Sequence, residues 1–285
     1  MMHKIKKGKR KMSTVIFNGG LGNQLFQYVF MMYLEKENGV ITKYNKSIYT
    51  LKNVHSGFQA DAIFDFSRFK EDKRNYYNIF FRFLRKVSDN FFPCKKFLLC
   101  NENVFYDGIK TIAYDGFWQE CKYYLAVKEE LKKVCVDYSY LCRDKELKKL
   151  ILGQESVFIH VRRGDYVKDN KYINLTDTDY YIKSINYIEK NVESPAYFVF
   201  SDDIEWCRNY FKEYTNFCFV EYKQQTALSD LGLMLMCKNA IVANSTFSWW
   251  GASLDTKRIV VRPNDYYSDK SGLSAKLYPS EWIAI

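Results

Sequence analysis

The sequence predicts an α/β protein built on parallel sheets, and three observations carry that expectation. Thr14-Val-Ile-Phe17 is a short apolar run that enters a glycine turn, Asn18-Gly-Gly-Leu-Gly22, and then a segment with helical apolar spacing. Beyond residue 155, short apolar runs alternate with amphipathic stretches, the pattern of repeated strand–helix units. Clusters of Arg, Asn, Ser and Thr stand directly after those runs, where an open parallel sheet places its ligands.

Taken in order, Thr14–Phe17 reads as a buried strand. Asn23 to Lys36 reads as a helix, with Leu25, Phe26, Val29, Phe30, Tyr33 and Leu34 on its apolar side and Gly39 as its stop. Between 65 and 100 aromatics mix with bases, and Tyr76, Phe80, Phe83, Leu84 and Val87 fall on one helical stripe with Arg82, Arg85 and Lys86 off it. Strands are then expected at Ser156–His160, Ala196–Phe200, Phe217–Val220, Ala240–Ala243 and Ile259–Val261. Helices are expected at Asp179–Lys190, Asp203–Phe211, Leu228–Cys237 and from Phe247 to Leu254. The charged stretch Lys145–Gln154, closing at Gly153, is the expected boundary, giving domains 13–150 and 151–285 behind a basic tail, 1–12.

Composition narrows the function classes. The chain has 285 residues, 47% hydrophobic and 27% charged, enough to bury one large core or two modest ones. Aromatics reach 18%; they fill cores first, although sugar clefts also use their faces. The net charge of +10 falls to +4 without Lys4, Lys6, Lys7, Lys9, Arg10 and Lys11, so most of the excess is a tail. That tail reads as disordered, with weak attraction to anionic lipid as its alternative, and Met12 as an alternative start. It lacks the apolar stretch of a signal peptide, and no window approaches the ~20 apolar residues of a membrane span. Eight Cys without a C-x-x-C pair, and three His, indicate neither a zinc site nor a disulfide framework. A cytoplasmic location is the expectation.

Three clusters carry chemistry. In His160-Val-Arg-Arg-Gly-Asp-Tyr166, strand alternation sends His160 and Arg162 to one face. Adjacent Arg162 and Arg163 suit a phosphate, because guanidinium is permanently charged and binds bidentately; a surface ion-pair network is the competing account. His160 taken alone would be a satisfied core residue. In Asn244-Ser-Thr-Phe-Ser-Trp-Trp-Gly-Ala252, Ser245, Thr246 and Ser248 crowd a helix start, more than one N-cap needs, and favour an anion. Gly19-Gly-Leu-Gly-Asn-Gln24 matches a dinucleotide fingerprint only partly, since Leu25 stands where its last glycine belongs, but as a tight turn it would let a substrate approach the backbone at Gly20 and Gly22.

Together these blocks resemble the family 11 glycosyltransferases, the α-1,2-fucosyltransferases. The family's G-G-L-G-N-Q-x-F-Q stands at Gly19–Gln27, its H-x-R-R-G-D-Y at His160–Tyr166, its N-S-T-F-S-W-W-G-A at Asn244–Ala252, and an F-S-D-D stretch with Trp-Cys at Phe200–Cys207. The resemblance implies a GT-B-like fold of two facing Rossmann-type domains, the first on the acceptor side and the second holding most of the donor, GDP-fucose. It implies inverting, metal-independent transfer to a sugar acceptor, a lipid-linked or soluble β-galactoside, with no cofactor. Arg162 would grip the β-phosphate, Arg163 would support it and His160 would meet the nucleoside side. Ser245, Thr246 and Ser248 would bond diphosphate or fucose oxygens with Phe247 nearby, and Asp230 would serve guanine or ribose. Asn23 would hold fucose or acceptor, and Asp165 would be the base or position the arginines.

Three other readings compete. A metal-dependent GT-A-type transferase would use Asp177-Thr-Asp179 or Asp202-Asp203, although helix capping accounts for Asp177 and Asp179. A nucleic-acid-binding protein would use the bases among the aromatics at 68–96, but no RNA-binding or zinc motif accompanies them. A nicotinamide dehydrogenase is weaker still, for want of the complete glycine fingerprint.

Overall fold

The computed structural model describes residues 12–51, 54, 56–78, 99–100, 113–164, 171–254, 258–268 and 276–285. The basic tail before Met12, most of the stripe Phe80–Val87, and Asp165 lie outside the described residues. Two compact units divide between Val136 and Asp137.

In the first unit, β1 (Met12–Ile16) runs through the glycine turn into α1 (Leu21–Asn38). Gly39 ends α1 in the left-handed region at φ 62°, its N–H donating to the Leu34 carbonyl, as a glycine stop should. β2 (Ile41–Asn45), α2 (Ser47–Leu51), β3 (Lys70–Glu71), β4 (Leu99–Cys100), β5 (Ala113–Asp115) and α3 (Cys121–Val134) follow. The strands form one parallel sheet, ordered β3-β2-β1-β5-β4.

Almost every residue of α1 from Leu21 to Leu34 is buried, so this helix is a core element rather than a surface one. Much of the aromatic excess is spent around it. Phe30 stacks on Trp118 with centroids 4.0 Å apart, and Tyr28 stacks on Phe64 at 4.7 Å. Tyr76, expected on a helical stripe, instead sits buried in a turn, where its hydroxyl donates to Asp72 at 2.8 Å. Thr14 Oγ1 donates to the same carboxylate at 2.6 Å, and Arg74 Nε at 2.9 Å. Burial pushes that carboxyl up, but the hydrogen bonds from Arg74, Thr14 and Tyr76 outweigh it and hold Asp72 well below the usual carboxylate range.

The second unit opens with a 3-10 turn (Tyr138–Tyr140) and α4 (Lys145–Leu152), capped by Asp144, which accepts from the Leu147 N–H at 2.9 Å. The stretch expected to be a boundary is therefore a helix of the second unit. A Cβ on Gly232 would meet Leu141 Cβ at 3.0 Å and the Tyr138 carbonyl at 3.1 Å, so 138–141 pack tightly on the helix carrying Gly232. That contact moves the division ahead of the expected 150/151.

Strands and helices then alternate: β6 (Glu155–Val161), α5 (Tyr180–Asn191), β7 (Pro195–Ser201), α6 (Ile204–Tyr210), β8 (Phe217–Phe219), α7 (Ala227–Met236), β9 (Asn239–Ile241), α8 (Thr246–Ser253), β10 (Val260–Arg262) and β11 (Ile283–Ala284). The sheet is parallel throughout and ordered β11-β10-β9-β6-β7-β8. Central β6 is buried on both faces, as helix-covered parallel sheets require. Each expected strand and helix beyond 155 is present within a few residues of its expected ends. Missed among the described residues were β2, α2, β3, β4, β5, α3 and α4, which lie in or beside a stretch that offered no motif, and β11.

Candidate functional site

The C-terminal ends of β6, β7 and β9 lie side by side in the second sheet, and the His-Val-Arg-Arg, Ser-Asp-Asp and Asn-Ser-Thr clusters emerge from them in turn. β6 pairs with β7 from Glu155↔Pro195 to Val161↔Ser201, and with β9 through Ile159↔Ile241. That register sets Arg162 beside Asp202.

Arg162 Nη1 lies 2.8 Å from Asp202 Oδ2, both side chains partly exposed. The other carboxylate oxygen of Asp202 accepts the Arg163 backbone N–H at 3.0 Å. Gly164 makes room for this: a Cβ there would stand 2.6 Å from Asp202 Oδ2. Asp202 thus binds the backbone and the first guanidinium of the arginine loop at once.

The second arginine has a different task. Arg163 Nε donates to Asp203 Oδ2 at 3.0 Å, Nη1 donates to Thr176 Oγ1 at 3.1 Å, and the guanidinium carbon lies 4.1 Å from the Trp206 ring centre. Its side chain is only 19% exposed. A guanidinium stacked on an aromatic face and bonded on two sides is an anchor for the loop, while Arg162 is the more exposed of the pair. Asp203 also caps α6 by accepting from the Trp206 N–H.

His160 is buried, and its ring centre lies 5.6 Å from that of Phe247 in the first turn of α8. Nδ1 meets no hydrogen-bond partner among the described residues. Burial, and secondarily the charge of Arg162, push the imidazole down to about 3, so it is neutral at physiological pH. It therefore differs from a core histidine whose two ring nitrogens are both hydrogen-bonded.

The helix start of α8 sorts its hydroxyls. Ser245 is the N-cap, its Oγ accepting from the Phe247 N–H at 3.3 Å. Thr246 and Phe247 are half-buried at the opening of the helix. Ser248, expected to bond the ligand, is fully buried, and its Oγ donates inward to the Ala243 and Ser245 carbonyls, closing the turn. Asn244 is also structural, donating to the carbonyls of Ile173 at 2.8 Å and Tyr266 at 3.1 Å.

Asp230 stands in the first turn of α7 and accepts from Tyr222 at 2.9 Å and Gln225 at 3.0 Å. Burial raises its carboxyl, against those two hydrogen bonds. It is not drawn into the Arg162–Asp202 pair. The acidic groups weighed as metal ligands have other partners. Asp179 pairs with Lys183 at 2.8 Å and makes no capping bond, against the capping expectation, while Asp177 accepts from Asn174. Among the described residues no three His, Cys, Asp or Glu side chains gather as a metal site needs. Asp165 lies outside the described residues.

In the first unit, Gly19 rather than Gly20 is the glycine the turn demands. Its φ is +80°, and a Cβ would stand 2.6 Å from Asn23 Nδ2, whereas a Cβ on Gly20 meets nothing within 4 Å. Gly22 is buried inside α1. Asn23 Oδ1 accepts from Gln119 Nε2 at 2.8 Å. Sequence reasoning passed over the motif's two glutamines. Gln24 accepts from the Gln59 and Ala60 N–H groups and donates to the Gly19 and Gly57 carbonyls. Gln27 ties Asn18 to Gly116. Full burial with both ends of each amide hydrogen-bonded is why those positions want glutamine.

Comparison with known proteins agrees with this layout. The model of the family described as Glycosyl transferase family 11 matches residues 1–285. An alpha-1,2-colitosyltransferase of Escherichia coli is 32% identical over 94% of this chain and 96% of its own. A galactoside alpha-(1,2)-fucosyltransferase 1 of Gorilla gorilla gorilla is 23% identical over 95% of this chain and 74% of its own. Among solved structures, Arabidopsis thaliana FUT1 in complex with GDP superposes with a TM-score of 0.51 at 13% identity, covering 99% of this chain and 78% of that one. NodZ alpha-1,6-fucosyltransferase soaked with GDP-fucose gives 0.50 at 12% identity, covering 85% and 92%. These structural likenesses concern the fold, a GT-B-like pair of parallel α/β units. No described helix is long and apolar enough to cross a membrane.

Proposed function

The chain belongs to glycosyltransferase family 11, and from that premise we propose that it transfers L-fucose from GDP-β-L-fucose to the 2-hydroxyl of a terminal β-galactoside. In this reading transfer inverts the anomeric centre and needs no divalent metal. The observation that carries it is the packing of His160 on Phe247, which brings the arginine loop and the start of α8 to one place.

Departure of GDP from the anomeric carbon loads negative charge onto the β-phosphate as the sugar becomes oxocarbenium-like. Arg162, partly exposed and aimed by Asp202, supplies fixed positive charge there. The first-turn amides of α8, with Thr246, supply hydrogen-bond donors to the same diphosphate. One preorganised donor of this kind contributes roughly 3–4 kcal/mol in the transition state. His160, buried, neutral and packed on Phe247, is the group proposed on the nucleoside side. The acceptor hydroxyl attacks opposite to GDP and gives up its proton, and Asp165 is the carboxylate nearest in sequence to Arg162 for that task.

The colitosyltransferase relative favours a second donor. Colitose is L-fucose without its 3-hydroxyl, so its GDP conjugate presents the same diphosphate to Arg162. One assay separates the readings: the protein is incubated in EDTA with GDP-fucose or GDP-colitose and a panel of galactosides, and the product linkage is mapped. Transfer of fucose to O2 is expected. Preference for GDP-colitose would change the donor, and activity lost in chelator and restored by Mn²⁺ would return the chain to the metal-dependent class.

A further inference from the structure

We infer that the second unit carries an acceptor-binding platform, formed by the stacked rings of Tyr172 and Tyr267 with Lys171 beside them, on which a pyranose ring lies. The inference rests on the glycosyl-transfer reading above and deepens it by naming where the acceptor sugar is held.

Tyr172 and Tyr267 come from distant parts of the chain and meet in an antiparallel bridge. Their rings stack with centroids 5.7 Å apart and planes 29° from parallel. Both are half-buried, while Tyr266 next to them is buried and braces both rings, at 6.0 Å from Tyr172 and 4.7 Å from Tyr267. Lys171 Nζ lies 5.7 and 5.5 Å from the two ring centres, and Lys171 is exposed. A packed, partly exposed double ring with an ammonium at its side suits a sugar. The rings take the C–H face of a pyranose, and the ammonium donates to its hydroxyls. A β-galactoside fits well, because its axial 4-hydroxyl leaves C3–H, C4–H and C5–H together on one apolar face.

Asn244 fixes this platform to the helix start. Its Nδ2 donates to the carbonyls of Ile173 and Tyr266, each the chain neighbour of one platform tyrosine, and Asn244 itself precedes the N-cap Ser245. One buried amide therefore holds both tyrosines at a set offset from Thr246. Such rigidity lowers the ordering cost of binding and holds the acceptor in register with the donor.

The test uses the full chain and lactose as the probe. Tyr172→Leu and Tyr267→Leu keep apolar volume but remove the ring; each is expected to raise the lactose KM about tenfold, as loss of one aromatic contact implies, while GDP affinity by calorimetry stays within twofold. Tyr172→Phe and Tyr267→Phe are expected to stay near wild type. Saturation-transfer NMR with wild-type protein and no donor should mark the galactose H3, H4 and H5 protons, and the Leu variants should lose the signal. The platform is overturned if those protons receive no transfer from wild type, if the Leu variants keep the wild-type lactose KM, or if they lose GDP affinity in proportion. The NMR arm needs no donor, so a wrong choice of nucleotide sugar would appear in the transfer assay alone.

Discussion

Asp202 places one carboxylate oxygen 2.8 Å from the guanidinium of Arg162 and the other 3.0 Å from the N–H of Arg163. The side chain that aims Arg162, the arginine proposed to bind the phosphate, therefore also fixes the backbone from which it projects. Arg162→Ala should lower turnover by about two orders of magnitude or more, the size expected for one lost transition-state donor. Arg162→Lys should recover little, because an ammonium keeps charge but cannot reach carboxylate and phosphate with a planar fork. Steady-state kinetics on the two variants, with circular dichroism to check folding, decides it; near-normal turnover in Arg162→Lys would remove the clamp.

Gly164→Ala probes the same arrangement without touching a charge. The new methyl would stand 2.6 Å from Asp202 Oδ2, so the carboxylate must shift and release Arg162. Activity should fall at least tenfold, about 1.4 kcal/mol in the barrier, with a change in Tm of only a few degrees. An active Gly164→Ala enzyme would mean that the Asp202 contact does not orient the arginine.

His160 gives a pH signature. Its folded-state pKa, about 3, lies below the ordinary value of 6.5, because burial and Arg162 oppose a second positive charge. The unfolded chain binds the extra proton first, so the stability linked to this residue is complete above pH 6.5 and is lost as pH falls towards 3. The loss is up to about 1.4 kcal/mol per pH unit in that window. His160→Gln removes the titrating group and should lose less Tm than wild type between pH 7 and pH 5. Equal losses would assign the acid sensitivity to other groups. The neutral imidazole should also leave no inflection in the pH–rate profile between 6 and 8.

Legibility in the sequence followed local redundancy. Beyond residue 155 each strand is a short apolar run closed by a polar cluster, and hydrophobic period and turn chemistry point the same way, so the second sheet could be written down almost strand by strand. β2 and β5 were missed because Ile41-Thr-Lys-Tyr-Asn45 and Ala113-Tyr-Asp115 are short and polar, and their pairing with β1 is a long-range matter. The helix Lys145–Leu152 reads in the sequence as a domain boundary because its charges hide a single buried residue, Ile151. Within the site, residue identity was visible but partition was not. Adjacent arginines look equivalent in a sequence, yet Trp206, Thr176 and Asp203 claim one of them. Clustered hydroxyls look equally available, yet Ser248 turns inward. Such divisions depend on what a neighbouring strand delivers.

The last prediction concerns the two glycine- and arginine-bearing motifs, which lie in different units. The diphosphate groups we assign, Arg162 and Thr246, both belong to the second unit, whereas Asn23 lies in the first, its side chain held by Gln119. GDP alone should therefore lose affinity when Arg162 or Thr246 becomes Ala, because each change removes a diphosphate partner. Asn23→Ala should bind GDP almost as wild type does yet transfer slowly, since its proposed contacts are to fucose or acceptor. Calorimetry with GDP and initial rates at saturating donor separate the two effects. A loss of GDP affinity in Asn23→Ala as large as that in Arg162→Ala would place the glycine turn in the nucleotide site and undo the assignment of donor binding to the second unit.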